Sequence, residues 1–164
     1  CNNISKKLNF NNLSFIYGDV IDYENKDEID MVISLHACNT ATDIAILKAL
    51  GWNAKVFFAV PCCQKEINSQ LGTEFLPFML KHGIIKEKFS TLLTDSIRSE
   101  VLEAFGYKSD IVEFISEENT PKNQLIRAYK TSTKLDKEKI KQIEKFTSSL
   151  NIKMFLLDEV AKLI

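Results

Sequence analysis

DMVISLHACNTATDIAILKALGWNAKVFFAVPCCQ, residues 30–64, is the stretch whose reading decides the fold. MVISLHA, 31–37, is a nearly continuous apolar run, as expected of a strand buried on both faces. TATDIAILKALGW then reads as a helix. Thr40 and Asp43 are spaced as a capping pair, and Gly51 is placed as its stop. AKVFFAV, 54–60, is a second apolar strand. Strand, helix, strand in this order predicts a right-handed parallel crossover.

The pattern extends outward on both sides. LSFIYGDV, 13–20, is a short β-rich run closed by Gly18 and Asp19. Gln64–Leu71 reads as a short helix. Residues 75–107 read as mostly helical, broken near Pro77 and Gly83 and stopped at Gly106. DIVEFIS, 110–116, and NQLIRAYKT, 123–131, read as an antiparallel pair. The tail, 134–164, reads as one or two helices with a solvated lysine face at 134, 137, 139, 141 and 145. The class is α/β.

Composition narrows the function. The chain has 164 residues, which fits one domain, and 45% hydrophobic residues, enough for a core. A net charge of −1 excludes whole-protein attraction to nucleic acid or anionic membrane, though not a local patch. No run reaches the ~20 apolar residues that span a bilayer, so no membrane partner is expected. Four cysteines are too few for a disulfide scaffold, and a cytoplasmic location is expected. The chain opens at Cys1 in CNNISKKL, where Cys1, Ile4 and Leu8 share a helical face, which reads as the tail of a longer helix.

In an open parallel sheet, ligands bind beyond the carboxyl ends of the strands. Those ends carry Gly18-Asp19, then His36-Ala37-Cys38-Asn39, then Pro61-Cys62-Cys63-Gln64. The loop Glu117–Asn123, with Lys122 and Asn123, falls on the same side. Each residue taken singly is more simply a packed or turn-forming one, and their convergence favours a site. His36 has the chemistry of a general base near neutral pH. His82 and the pair Asp95–Arg98 read as structural, the latter as a surface ion pair of small worth. The thiols of Cys38, Cys62 and Cys63 admit three readings: a rim shaping the site, a nucleophile, or, together with His36, ligands for zinc. H-x-C with an adjacent C-C lacks the usual C-x₂-C zinc spacing, so no metal is assigned. Adjacent cysteines are poorly placed for a mutual disulfide.

YGDV, DMVISLHACNTATDIAI, AKVFFAVPCCQKEI, HGIIKEKFSTLLTDSIRSEVLEAFGY and ENTPKNQLIRA together resemble Rossmann-like S-adenosylmethionine-dependent methyltransferases. More narrowly they resemble the group of methyltransferase-like protein 25 and the glutathione-S-transferase-C-terminal-domain-containing proteins. The likeness runs from about residue 13 to 130. It implies the sheet order 3-2-1-4-5-7-6 with the last strand antiparallel, and the five runs above fit strands three to seven. The expected fold is therefore an incomplete Rossmann-like methyltransferase sheet flanked by helices. Residues 1–164 would be the C-terminal portion of the domain, with 134–164 a helical extension.

The resemblance also implies roles. Asp19, with Val20, matches the acid facing the cofactor's adenine, and Leu35 and His36 match the segment between cofactor and acceptor. His36, Cys38, Cys62 and Cys63 occupy catalytic positions, and a thiol at these strand ends can add to a pyrimidine, as in RNA base methyltransferases. Pro61, Gln64, Lys122 and Asn123 occupy acceptor-binding positions. The family's glycine-rich cofactor loop has no counterpart among Gly18, Gly51, Gly72, Gly83 and Gly106. The cofactor implied for the whole protein is S-adenosylmethionine, held weakly or not at all by this chain. The acceptor is an RNA base or a protein side chain. A catalytically inert binding domain of the same fold is the first alternative, and a zinc-binding enzyme is the second. The missing strands would leave the edge of MVISLHA bare, to be paired by LSFIYGDV or by a second chain as a dimer, or exposed by a cut made after folding.

Overall fold

The computed structural model describes every residue except Lys26, Glu117, Glu118, Asn119 and Pro121. Among the described residues the elements are α1 (Asn2–Lys7), β1 (Met31–Leu35), α2 (Thr40–Gly51), β2 (Val56–Val60), α3 (Lys65–Gln70) and α4 (Pro77–Leu80). They continue with α5 (Gly83–Ala104), β3 (Tyr107–Glu113), β4 (Gln124–Lys130), α6 (Lys137–Ser149) and α7 (Phe155–Val160). One four-stranded sheet runs β1-β2-β4-β3. β1 and β2 are parallel, from Met31↔Val56 to Leu35↔Val60, and β4 is antiparallel to both β2 and β3. This is the order and sense expected of strands four to seven, and the class is α/β.

The helices that pack on the sheet, α2 and α5, cover one of its faces. Phe57, Ala59, Ile126 and Ala128 alternate along β2 and β4, and all four are fully buried. That period of two turns one side of each strand into the core. α2 packs on β1 and β2, α5 on β3 and β4, while α6 and α7 back α5 and α2 respectively. The opposite face is open: Met31, Ile33, Leu35 and Tyr129 are exposed, and Tyr129 packs edge-on against Phe58. The expectation that MVISLHA is buried on both faces is thus corrected, since no helix covers its second face among the described residues.

LSFIYGDV is not a strand, and among the described residues the sheet has four strands rather than five. It pairs with no strand among the described residues, and its backbone is satisfied locally instead. The Asn2 side chain donates to Phe15 O at 2.8 Å and accepts from Phe15 N, while Ser5 Oγ donates to Phe10 O and Leu13 O. A strand without a partner leaves its amides to whatever is near. In α1, Ser5 is the buried residue and Ile4 and Leu8 are exposed, which reverses the expected apolar face.

Two local stops were legible. α4 and α5 are separated just before Gly83, as the break in the pattern implied. Gly106 ends the α5 turn with φ +84°, a left-handed conformation that favours glycine. At α2 the left-handed residue after the helix is Asn53, two positions beyond Gly51. No helix among the described residues is long and apolar enough to cross a membrane.

Candidate functional site

The parallel register builds the site. Leu35 and Val60 lie side by side at the carboxyl edge, so the next residues of both strands leave the sheet together. Cys38 is three residues past Leu35, and Cys62 and Cys63 are two and three past Val60. The Sγ atoms of Cys38 and Cys62 are 3.1 Å apart, and those of Cys63 and Cys38 are 3.5 Å apart. Cys38 is exposed, Cys62 and Cys63 are half-buried, and all are free thiols.

The first loop turns tightly. His36 and Asn39 both adopt left-handed backbone, φ 54° and 51°. That conformation is uncommon for a residue with a Cβ and persists where surrounding contacts enforce it. Those contacts are visible. Thr42 Oγ1 donates to Ala37 O at 2.6 Å, and Asn39 N donates to Cys63 O at 3.3 Å. Asn39 Oδ1 accepts from Glu66 N at the start of α3. Asn39 therefore ties the loop after β1 to the loop after β2.

Beneath the loops lies a buried ion network. Arg98 on α5 donates from Nε to Asp43 at 2.7 Å, from Nη1 to Asp95 at 2.9 Å and from Nη2 to Asn39 O at 3.0 Å. The side chains of Arg98, Asp43 and Asp95 are each 1% exposed. The reading of Asp95–Arg98 as a surface pair is corrected: the helical spacing was right, but this face of α5 meets α2. Asp43 likewise does not cap α2; it faces Arg98. A buried Asp spaced like a capping residue, followed by an Arg on a later helix, was the only signal available.

Burial pushes the carboxyls of Asp43 and Asp95 up, and Arg98 opposes the shift only in part. One guanidinium faces two carboxylates, and Asp43 Oδ2 has no hydrogen-bond partner. Both folded-state values stand above the unfolded one near ~3.9, so the folded chain holds more protons just above that pH. Stability contributed by these groups is therefore present below about pH 4 and falls as pH rises through their folded values. In urea titrations across acid pH, Asp95→Asn is expected to lose this fall. Its stability relative to the parent then rises with pH, and the opposite slope would mean the charged form is favoured in the fold.

Gln64 is buried at the base of the strand-end loops, and both ends of its amide are engaged. Its Nε2 donates to Asp95 at 3.0 Å and its Oε1 accepts from Thr91 Oγ1 at 3.3 Å. Asn123 is also buried, and its amide donates to Ile115 O, closing the β3–β4 loop. Pro61 is buried. Of the expected acceptor-binding residues, Lys122 alone offers a charge, and it faces Glu87 at 3.4 Å. Glu117 and Pro121, in the same loop, lie outside the described residues. Cys62, Cys63, Gln64, Lys65, Glu87 and Lys122 line a cleft of about 350 Å³ between α3, α5 and this loop.

The expected cofactor residues do not assemble. Asp19 and Val20 line a separate hollow made from residues 14–23. Asp19 Oδ1 accepts from Ile21 N, a local turn contact. Leu35 and His36 are exposed at the end of β1, and no side-chain partner of His36 is present among the described residues. These residues as arranged do not fit S-adenosylmethionine.

The thiols differ in acidity. Donation from Cys62 and Cys63 holds the Cys38 thiol below its ordinary value. Cys62 is pushed up to about 12, chiefly by its hydrogen bond to Cys38 and by burial. Thiolate, not thiol, is the nucleophile. Limited alkylation of reduced, chelator-treated chain near pH 8, read by peptide mass spectrometry, is expected to label Cys38 well ahead of Cys62. Equal labelling would contradict the shared-proton arrangement.

Residues 1–70 match the family model of a methyltransferase domain. That segment carries β1, α2, β2 and both strand-end loops. No curated protein and no solved structure matches the chain.

Proposed function

We propose that the chain is part of an S-adenosylmethionine-dependent methyltransferase and supplies the acceptor side of its site. The observation that carries this reading is the convergence of the two strand-end loops, within the segment that matches a methyltransferase domain. The sheet order, with its antiparallel β4, supports it. The narrower likeness to the methyltransferase-like protein 25 group rests on LHAC and AVPCCQ.

The chemistry assigned to these residues is binding and orientation. Methyl transfer needs an acceptor lone pair held in line more than strong acid–base work. Cys62, Cys63, Lys65 and Lys122 shape and charge the cleft, while Gln64 couples its floor to the Asp95–Arg98 network. Of the thiols, Cys38 is held below its ordinary value while Cys62 is pushed up, so Cys38 is the better placed of the two as a nucleophile. His36, at the exposed loop, is the candidate base. The acceptor is an RNA base or a protein side chain, with Lys65 and Lys122 suited to an anionic one. The chain's own residues hold S-adenosylmethionine weakly or not at all, given the lack of a glycine-rich loop and the position of Asp19.

An inert binding domain of the same fold is the second reading, favoured by that failure to assemble a cofactor site. Titration calorimetry with S-adenosylmethionine separates the two. We expect binding by the complete product of the gene and none measurable by residues 1–164. Absence of binding by the complete product would overturn the methyltransferase reading.

A further inference from the structure

The three thiols at the strand ends are grouped more tightly than shaping a cleft requires. The Sγ atoms of Cys38, Cys62 and Cys63 all lie within 4.8 Å of one another. Thiolates on one tetrahedral zinc at about 2.3 Å stand roughly 3.8 Å apart. The separations of 3.1 and 3.5 Å require only small outward rotations to reach that spacing. We infer that Cys38, Cys62 and Cys63 form a three-thiolate site for one zinc ion, with the fourth position left to a ligand from the solvent side.

Sequence spacing argued against this, because an adjacent pair of cysteines is not the usual two-ligand arm. The fold removes the objection. The parallel pairing of β1 and β2 delivers the third ligand from the other loop, at matching distance from Leu35 and Val60. Ligand type agrees as well: an all-sulfur set selects zinc or copper(I) over harder ions.

The support is preorganised. Asn39 bonds to Cys63 O through its amide and to Glu66 N through its side chain, and Arg98 holds Asn39 O from below. The loop carrying Cys38 is thereby fixed to the loop carrying the other two. Three thiolates on a divalent ion carry net charge −1, and Lys65 in the adjoining cleft offsets it, while Lys122 there is paired with Glu87. Three protein ligands with an open fourth position define a site able to bind an exchangeable ligand, rather than a closed structural one.

The test uses the 164-residue chain, reduced and stripped with a chelator, then titrated with zinc alone and with cobalt alone. One zinc per chain is expected, and cobalt should give sulfur-to-metal charge-transfer absorption of an intensity matching three thiolates. Cys38→Ser, Cys62→Ser and Cys63→Ser should each weaken zinc binding by at least about tenfold, the lower end of what even an outer-shell loss costs. Cys1→Ser should leave it unchanged. Circular dichroism checks each variant's fold, and the cobalt spectrum of the parent chain counts thiolates without any variant. No stoichiometric zinc in the reduced chain, or uptake of copper(I) alone, overturns the inference. So does zinc binding that survives Cys38→Ser, or a Cys38–Cys62 disulfide in place of metal. Metal uptake is read without methyl transfer, so this inference and the methyltransferase reading can fail separately.

Discussion

Arg98→Ala is expected to destabilise the fold by about 3–5 kcal/mol, read as a lower urea midpoint with an unchanged slope. The magnitude follows from what is left behind. Asp43 and Asp95 are 1% exposed, and without the guanidinium two carboxylates face each other in the core with no cation. Asn39 O loses its donor at the same time. Arg98→Lys should be intermediate at best, because one ammonium cannot reproduce a planar fork that serves three acceptors. A variant replacing Arg98, Asp43 and Asp95 together with apolar residues of similar size should recover most of the lost stability. It should not restore the loop, because Asn39 would still lack its anchor. A single Arg98→Ala variant within about 1 kcal/mol of the parent would contradict the buried network.

Gly106→Ala is the second large effect, expected at about 2–4 kcal/mol. Two costs add. The backbone has φ +84°, and an added Cβ would stand 2.2 Å from the carbonyl oxygen of Ser132 and 2.8 Å from its carbon. That neighbour cannot withdraw, since Ser132 N and Thr131 N both donate to Gly106 O at 2.9 Å. The contact joins the end of α5 to the segment leaving β4, and Asp136 N on Ala104 O extends it toward α6. Thermal denaturation of Gly106→Ala should show a clear fall in Tm, with Gly51→Ala as a control. Gly51 lies at the end of α2 with open space around it, so alanine there should be neutral or mildly stabilising.

The strand-helix-strand core was legible because period and punctuation agree there. MVISL and VFFAV are short apolar runs ended by polar or proline residues, and the helix between them is long enough to cross back. The antiparallel pair and the Gly83 and Gly106 breaks followed from the same cues. LSFIYGDV misled because strand propensity is a preference of side chains, while a strand also needs a hydrogen-bonding neighbour, and none is present among the described residues. Arg98 could not be placed from sequence: its partner Asp43 is 55 positions away, and spacing along one helix shows only Asp95. The thiol cluster was half legible. The order of strands and loops places Cys38 and the Cys62–Cys63 pair at one sheet edge, but only the folded register brings their sulfurs together.

Methyl transfer itself tests the central claim most directly. The complete gene product, given S-adenosylmethionine carrying a tritiated methyl group, should label RNA or protein fractions of a cell extract. A Cys62→Ser, Cys63→Ser, Lys122→Ala triple variant alters the cleft without touching the buried network. It is expected to keep its affinity for S-adenosylmethionine and lose most transfer, chiefly through a raised KM for the acceptor. Transfer by that variant at the parent's rate and KM would contradict the assignment of the strand-end cleft to the acceptor.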